Sequence, residues 1–302
     1  MERCRIARDG FEGIWSPGTK YPEKAIIAVG GASCDEKTGV MMSRYLRRAG
    51  YNVLIVGFYM WKGLSKDLVC IPVDYVQRAV RWLKDVKGIE RIAMTGVSTG
   101  AGYTLLCASL IPEISCVIPV VPYDHVPEGT AETILGPKRT HRSQYTWHGK
   151  DIPYAPIDML DERGMLGWLW DAHKAPGYGL SRFMRYGYDM LERSLPPESR
   201  IKVEDMHADV LFLAAKDDDA WPSDVAVPRM VKILEDNGYP YRVKYHIYEK
   251  GSHALSDGLD KMTGFARFAL EHMIPAEKKY PKECEEARRD SFRRVLKFLK
   301  EW

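Results

Sequence analysis

Five residues constrain this chain more than any others. Gly96-Val97-Ser98-Thr99-Gly100 sits between an apolar run, Arg91-Ile92-Ala93-Met94-Thr95, and a small-residue segment, Ala101 to Ser109. This is the pattern of a sharp strand-to-helix turn, in which the backbones approach so closely that only small residues are tolerated two places either side of the apex. The apex residue is then exposed at the end of a strand. A serine hydroxyl is a poor nucleophile unless it is held beside a base, and this turn would hold Ser98 in such a place. A structural turn with an inert serine has the same letters, so residues elsewhere in the chain decide between the two.

The elements around this turn alternate. Ala25-Ile26-Ile27-Ala28-Val29 reads as a buried strand ending in Gly30-Gly31, residues 38–48 as a helix stopped by Gly50, and residues 53–56 as the next strand. Residues 74–86 place Tyr75, Val76, Ala79, Val80, Trp82 and Leu83 on one helical face. Strands follow at 92–95, 116–121, 210–215 and 243–248, with helices at 225–235, 255–271 and 283–300. A short hairpin is expected at the start, pairing 3–8 with 11–15 through Asp9-Gly10. Alternating β and α elements imply an α/β fold whose sheet is mostly parallel, with helices on both faces. Regularity lapses between Pro122 and Arg200, which is too long for a simple connection. We therefore expect a core of residues 1–122 and 201–302, with 123–200 inserted as a cap that carries helices of its own.

Composition narrows the function. With 302 residues and 45% hydrophobic content, a large core is available. A net charge of +3 gives no drive toward nucleic acid or membrane surfaces. No apolar run approaches the roughly 20 residues that span a bilayer, and no secretory signal follows Met1. Six cysteines without a C-x-x-C pair read as reduced thiols of a cytoplasmic protein. Histidine spacing offers no metal site. Gly30-Gly31 lacks the third glycine of a dinucleotide loop and the lysine of a phosphate loop, so no cofactor is expected.

In an open parallel sheet, functional groups collect beyond the carboxyl ends of the strands. Asp217-Asp218-Asp219 follows strand 210–215, and Gly251-Ser252-His253 follows strand 243–248. The order Ser98, Asp, His253 is that of the α/β-hydrolases. His253 would be the base. The acid is open among the three aspartates, of which one should turn inward. Oxyanion donors should be the N–H of Thr99, which follows the serine, and that of Ala32, in the loop after strand 25–29.

Three segments resemble a known family. They are Tyr75–Leu83 leading into Gly96 to Gly102, then Ile201-Lys202-Val203-Glu204 before strand 210–215 with Asp218-x-x-Trp221-Pro222-Ser223 after it, and Tyr248-x-x-Gly251-Ser252-His253. Together they are similar to the C-terminal catalytic domain of the acyl-CoA thioesterase and bile-acid-CoA:amino-acid N-acyltransferase family. The resemblance covers most of residues 20–270, and is looser to dienelactone-hydrolase-like enzymes. It implies an α/β-hydrolase fold and a Ser98, Asp218, His253 triad, since the family's acid lies three residues before the Trp. The amino-acid transferases carry Cys where Ser98 stands, so the resemblance implies hydrolysis of an acyl ester or acyl-CoA. A carboxylesterase or peptidase using the same triad, and a non-catalytic binding relative, are the rival readings. The strands begin by residue 25, so no N-terminal β-sandwich like that of the mammalian members is expected.

The insertion should cover Ser98. Trp147, Tyr154, Trp168, Trp170 and Tyr178 are candidate walls of the substrate site, or else the insertion's own small core. Lys138, Arg139, His141 and Arg142 form a basic run that would suit a CoA phosphate, or else a solvated face. A homo-oligomer is compatible with the sequence.

Overall fold

The computed structural model describes residues 1–32, 34–134, 136–160, 164–257, 259 and 264–302. Eight strands form the main sheet: β1 (Glu2–Cys4), β2 (Glu12–Ser16), β3 (Tyr21–Val29), β4 (Tyr51–Gly57), β5 (Arg91–Val97), β6 (Ile114–Val120), β7 (Asp209–Asp217) and β8 (Val243–Ser252). Their order is β1-β2-β4-β3-β5-β6-β7-β8. β2 runs antiparallel to both β1 and β4, and every other pairing is parallel. The expected mostly parallel sheet is present.

Side chains alternate across the sheet, as the two-residue period of a strand requires. Ile27, Leu54, Met94, Val117 and Phe212 face one apolar layer, where α1 (Asp74–Lys87), α2 (Thr99–Leu110) and α5 (Ser223–Asp236) pack. Ile26, Val53, Ala93, Cys116 and Leu213 face the other, under Leu46 and the long C-terminal helix α6 (Pro281–Glu301) with Val295, Phe298 and Leu299.

β3 lies between β4 and β5, so the chain leaves β3 to one side and returns on the other. A crevice opens at such a reversal. The loop after β3 and the turn after β5 therefore sit side by side, with Val29 opposite Gly96.

Residues 123–200 are not purely helical. They hold α3 (Gly164–Lys174) and α4 (Phe183–Leu191), but also an antiparallel pair, Glu128–Thr133 with Gly136–Ser143. A further strand, Tyr145–Trp147, pairs with Lys150–Asp151 and with Ile71–Pro72. The helices meet closely at Gly187, where a Cβ would stand 2.4 Å from the Trp168 ring.

Three other local expectations shift. The opening pair joins β1 to β2 as expected, but residues Ile6–Asp9 coil into a helical turn. Asp9 accepts the Arg5 N–H, Glu12 accepts that of Ile6, and Gly10 closes the turn at φ 81°. The helix expected over 38–48 is two helices, Glu36–Met42 and Arg44–Arg48. Ser43 sits at the break, and its hydroxyl donates back to the Val40 carbonyl. The helix expected over 255–271 is seen as Gly264–Met273, and residues 258 and 260–263 lie outside the described residues.

Candidate active site

Ser98 caps α2 at φ 60° and ψ −127°, a region L-residues avoid, and its N–H donates to the Val120 carbonyl at 3.0 Å. The flanking glycines are required by space. A Cβ on Gly96 would lie 2.2 Å from the Gly100 carbonyl oxygen, and one on Gly100 would lie 2.0 Å from that of Gly30. The loop after β3 is equally close, since a Cβ on Gly31 would stand 3.1 Å from that of Ser98.

His253 Nε2 is 2.8 Å from Ser98 Oγ, and its Nδ1 is 2.7 Å from Asp218 Oδ1. Asp218 is completely buried. Its Oδ1 also accepts from the Ala220 and Trp221 N–H groups, and its Oδ2 from the Ser223 hydroxyl at 2.6 Å. The Trp221 indole donates to the Val121 carbonyl and stands edge-on to the His253 ring at 5.2 Å. Ser223, quoted from the sequence only as part of the family resemblance, thus holds the carboxylate that holds His253. An Asp-x-x-x-x-Ser spacing at the start of a helix is the signal that could have shown this contact.

The neighbouring aspartates have other partners. Asp217 ends β7 and is half-buried. Asp219 is buried, pairs with Arg182 at 3.1 Å and accepts the Ala276 N–H. Burial pushes its carboxyl up to about 6.

The His253 loop is held from behind. Glu277 and Arg288 are both fully buried and bonded to each other at 2.5 Å. Ser252 donates to Glu277, Ala254 N–H donates to the Ser252 hydroxyl, and Arg288 reaches the Ala254 carbonyl. The two residues flanking His253 are therefore fixed by one buried ion pair.

Thr99 and Ala32 both line the cavity beside the serine. Neither backbone N–H has a hydrogen-bond partner among the described residues. The cavity measures about 300 Å³, and its walls are mainly apolar, with Leu160, Met165, Trp168, Phe183, Tyr188 and Trp221 prominent.

Of the aromatic residues picked from the sequence, Trp168 lines this cavity and the others do not. Trp147 and Tyr154 pack against the main apolar layer, Tyr178 donates to Asp189, and Trp170 is exposed beside Lys174. Tyr188, which also lines the cavity, was missed because nothing local marks it as a wall. The basic run is largely engaged. Arg139 pairs with buried Glu128 at 2.7 Å and with Asp158, and Arg142 is bidentate on Asp151. Lys138 and His141 are exposed. Among the described residues, no group of three or more His, Cys, Asp or Glu side chains stands in metal-binding geometry, and no helix is long and apolar enough to cross a membrane.

Comparison with solved structures decides the fold. The esterase Pf2001 of Pyrococcus furiosus superposes with a TM-score of 0.52 at 17% identity, over 97% of this chain and 85% of that one. This is an α/β-hydrolase fold. The acylaminoacyl peptidase of Pyrococcus horikoshii superposes at a TM-score of 0.52 and 14% identity, over 96% of this chain and 39% of that one. Residues 176–259 match the family described as BAAT / Acyl-CoA thioester hydrolase C terminal. That window contains both Asp218 and His253. A mouse protein named peroxisomal succinyl-coenzyme A thioesterase is 31% identical over 98 residues. The match spans 32% of this chain and 22% of that relative.

Proposed function

We propose that the protein hydrolyses an acyl thioester or ester through a Ser98, His253, Asp218 triad and an acyl-enzyme. The observation that carries this reading is the continuous chain from buried Asp218 through His253 to Ser98, at 2.7 and 2.8 Å. Ionised Asp218 can only accept, so it draws the proton of His253 to Nδ1 and leaves Nε2 as the base. Ser98 Oγ attacks the carbonyl carbon as its proton passes to Nε2. The developing oxyanion is met by the Thr99 and Ala32 N–H groups, assisted by the positive end of α2. His253 then protonates the leaving sulfur or oxygen, and the acyl group stays on Ser98. Water attacks this ester by the same route, its proton taken by His253 and returned to Ser98 Oγ.

Residues 123–200 act as the cap, since Leu160, Trp168, Phe183 and Tyr188 wall the cavity that Ala32 and Thr99 border. Six unpaired cysteines suit a reducing compartment. A carboxylesterase is the second reading. It is favoured by the engagement of Arg139 and Arg142 in ion pairs, which leaves them poorly placed to hold a CoA phosphate.

Mass spectrometry after treatment with a fluorophosphonate should place the label on Ser98, and Ser98→Ala should abolish both labelling and turnover while melting like the wild type. A label on another serine overturns the reading. Rates on matched acyl-CoA and p-nitrophenyl esters then separate thioesterase from carboxylesterase.

A further inference from the structure

Beside that cavity, and sharing Thr99, Gln144, Tyr188 and Trp221 with it, lies a smaller pocket holding a histidine that the proposed chemistry does not use. Ser98 and Thr99 line it, together with His125, Gln144 and Tyr145. His125 is more than nine-tenths buried. Its Nδ1 lies 3.0 Å from Asp124 Oδ1, and Asp124 is fully buried. Arg229 donates to both oxygens of Asp124 and continues to Glu192. Burial pushes the Asp124 carboxyl up, but the bonds from His125 and Arg229 outweigh it and hold the group below the usual carboxylate range.

Asp124 is thus ionised and can only accept, so Nδ1 of His125 carries the proton. In the neutral ring, Nε2 then carries a lone pair. That atom has no hydrogen-bond partner among the described residues. The atom is open to the pocket, so a ligand that fills the pocket must supply a donor or leave this acceptor unsatisfied, which is costly and discriminates in favour of a ligand that carries the donor. Tyr123 packs tilted against the ring, and Tyr188 stands edge-on to Tyr123 behind it.

We propose that His125 is a specificity-determining residue whose Nε2 accepts a hydrogen bond from a hydroxyl or amide N–H that the substrate carries close to its scissile carbonyl. The apolar chamber takes the rest of the substrate. The proposal rests on Ser98 being the nucleophile, because nearness to Ser98 is what places the donor near the carbonyl.

The test is kcat/KM at pH 8.5 on matched ester pairs that differ by one hydroxyl. One pair is butanoyl against 3-hydroxybutanoyl esters of the same alcohol, and the other carries the hydroxyl on the alcohol. In the wild type, at least one pair should favour the hydroxyl-bearing member by about tenfold, the scale of one buried hydrogen bond. His125→Leu should bring that ratio to about one, and His125→Gln, which keeps an acceptor, should retain part of it. A wild type that favours neither hydroxylated member overturns the proposal, even where His125→Leu does not fold. An equal loss on both members in a folded His125→Leu, as a purely structural or water-binding histidine would give, also overturns it. Fluorophosphonate labelling of wild-type Ser98 separates failure of this proposal from failure of the nucleophile assignment.

Discussion

The three consecutive aspartates show how residues of one type acquire different tasks. Asp218 turns inward, where four donors surround it, while Asp217 stays half-buried and Asp219 faces Arg182. Asp218→Asn should remove the charge-assisted bond that sets the His253 tautomer and cut kcat by orders of magnitude, on the scale of the roughly 10⁴-fold loss known for an orienting Asp in a serine protease. Asp217→Asn should cost about tenfold or less through electrostatics alone. Measuring kcat for both variants checks the register, and a larger loss at Asp217 shows the turn read one residue out. Asp219 should reveal itself in stability instead. Its folded carboxyl titrates near 6, well above the usual carboxylate range. Between about pH 4 and 6 this carboxyl therefore holds more proton in the folded state than in the unfolded, so its own contribution to stability falls as pH rises through this window. The contribution is no more than about 3 kcal/mol. Denaturant unfolding at pH 4 and 7 should show Asp219→Asn gaining stability relative to the wild type as pH rises, by changing the slope in that direction. An unchanged slope shows that Asp219 makes no such contribution.

At the scale of elements, each functional side chain stands just past the carboxyl end of a strand, and each such loop needs fixing. The Ser98 turn is fixed by sterics, through glycines that no other residue can replace. The Asp218 turn is fixed by its own N–H groups, the Ser223 hydroxyl and the Trp221 indole. The His253 loop has no comparable local device, and α6 supplies it through Arg288 on Glu277. Removing one member of a buried ion pair leaves the other charge uncompensated, at about 3–5 kcal/mol. Arg288→Met should lower stability by about that much, whereas replacing both, with Glu277→Leu as well, should recover much of it. Chemical denaturation of the two variants checks this. A single substitution costing under about 1 kcal/mol means that the pair does not carry the loop. These differences also explain what was readable beforehand. Ser98 carries a local signature of strand, turn and helix and His253 stands in a loop just past a strand, whereas Asp218 was singled out among three aspartates only by the family resemblance. Arg288 lies 35 residues beyond His253 on a helix whose pattern reports only its apolar stripe, so its tie to the loop was not visible. The break at Ser43 and the turn over Ile6–Asp9 depend on side-chain to backbone bonds that hydrophobic spacing does not encode.

The whole molecule decides what reaches the serine. Residues distant in the chain, among them Leu68, Gln144, Trp168, Tyr188 and Trp221, are brought together only by the sheet order and the folding back of 123–200. Aromatic richness signalled a cavity there but did not say which rings would face it. Only Trp168 of the chosen aromatics does, because Trp147 lies on a strand paired with Ile71–Pro72 and is directed to the core layer instead. The hairpin 128–143 escaped notice because buried Glu128 breaks its apolar alternation, and the partner that neutralises it, Arg139, lies on the opposite strand. The segment 123–200 is also joined to the turn that carries Asp218. Arg185 on α4 donates to the Asp218 carbonyl, its N–H to that of Asp219, and Arg182 pairs with the Asp219 side chain. Wholesale removal of the cap would therefore disturb Asp218 itself. Substitutions within 140–180 leave those ties in place and should change substrate choice rather than intrinsic reactivity. Trp168→Ala in particular opens the apolar chamber and removes the ring that packs on Gly187. It should lower kcat/KM for an octanoyl ester by about tenfold or more, through lost apolar contact, while an acetyl ester, too short to span the chamber, should lose about threefold or less by the same area argument. Steady-state kinetics on the two esters, with melting curves to verify folding, makes the comparison. Equal proportional losses in a folded variant mean that the chamber walls do not select the acyl chain, and the cap's part in recognition then falls with them.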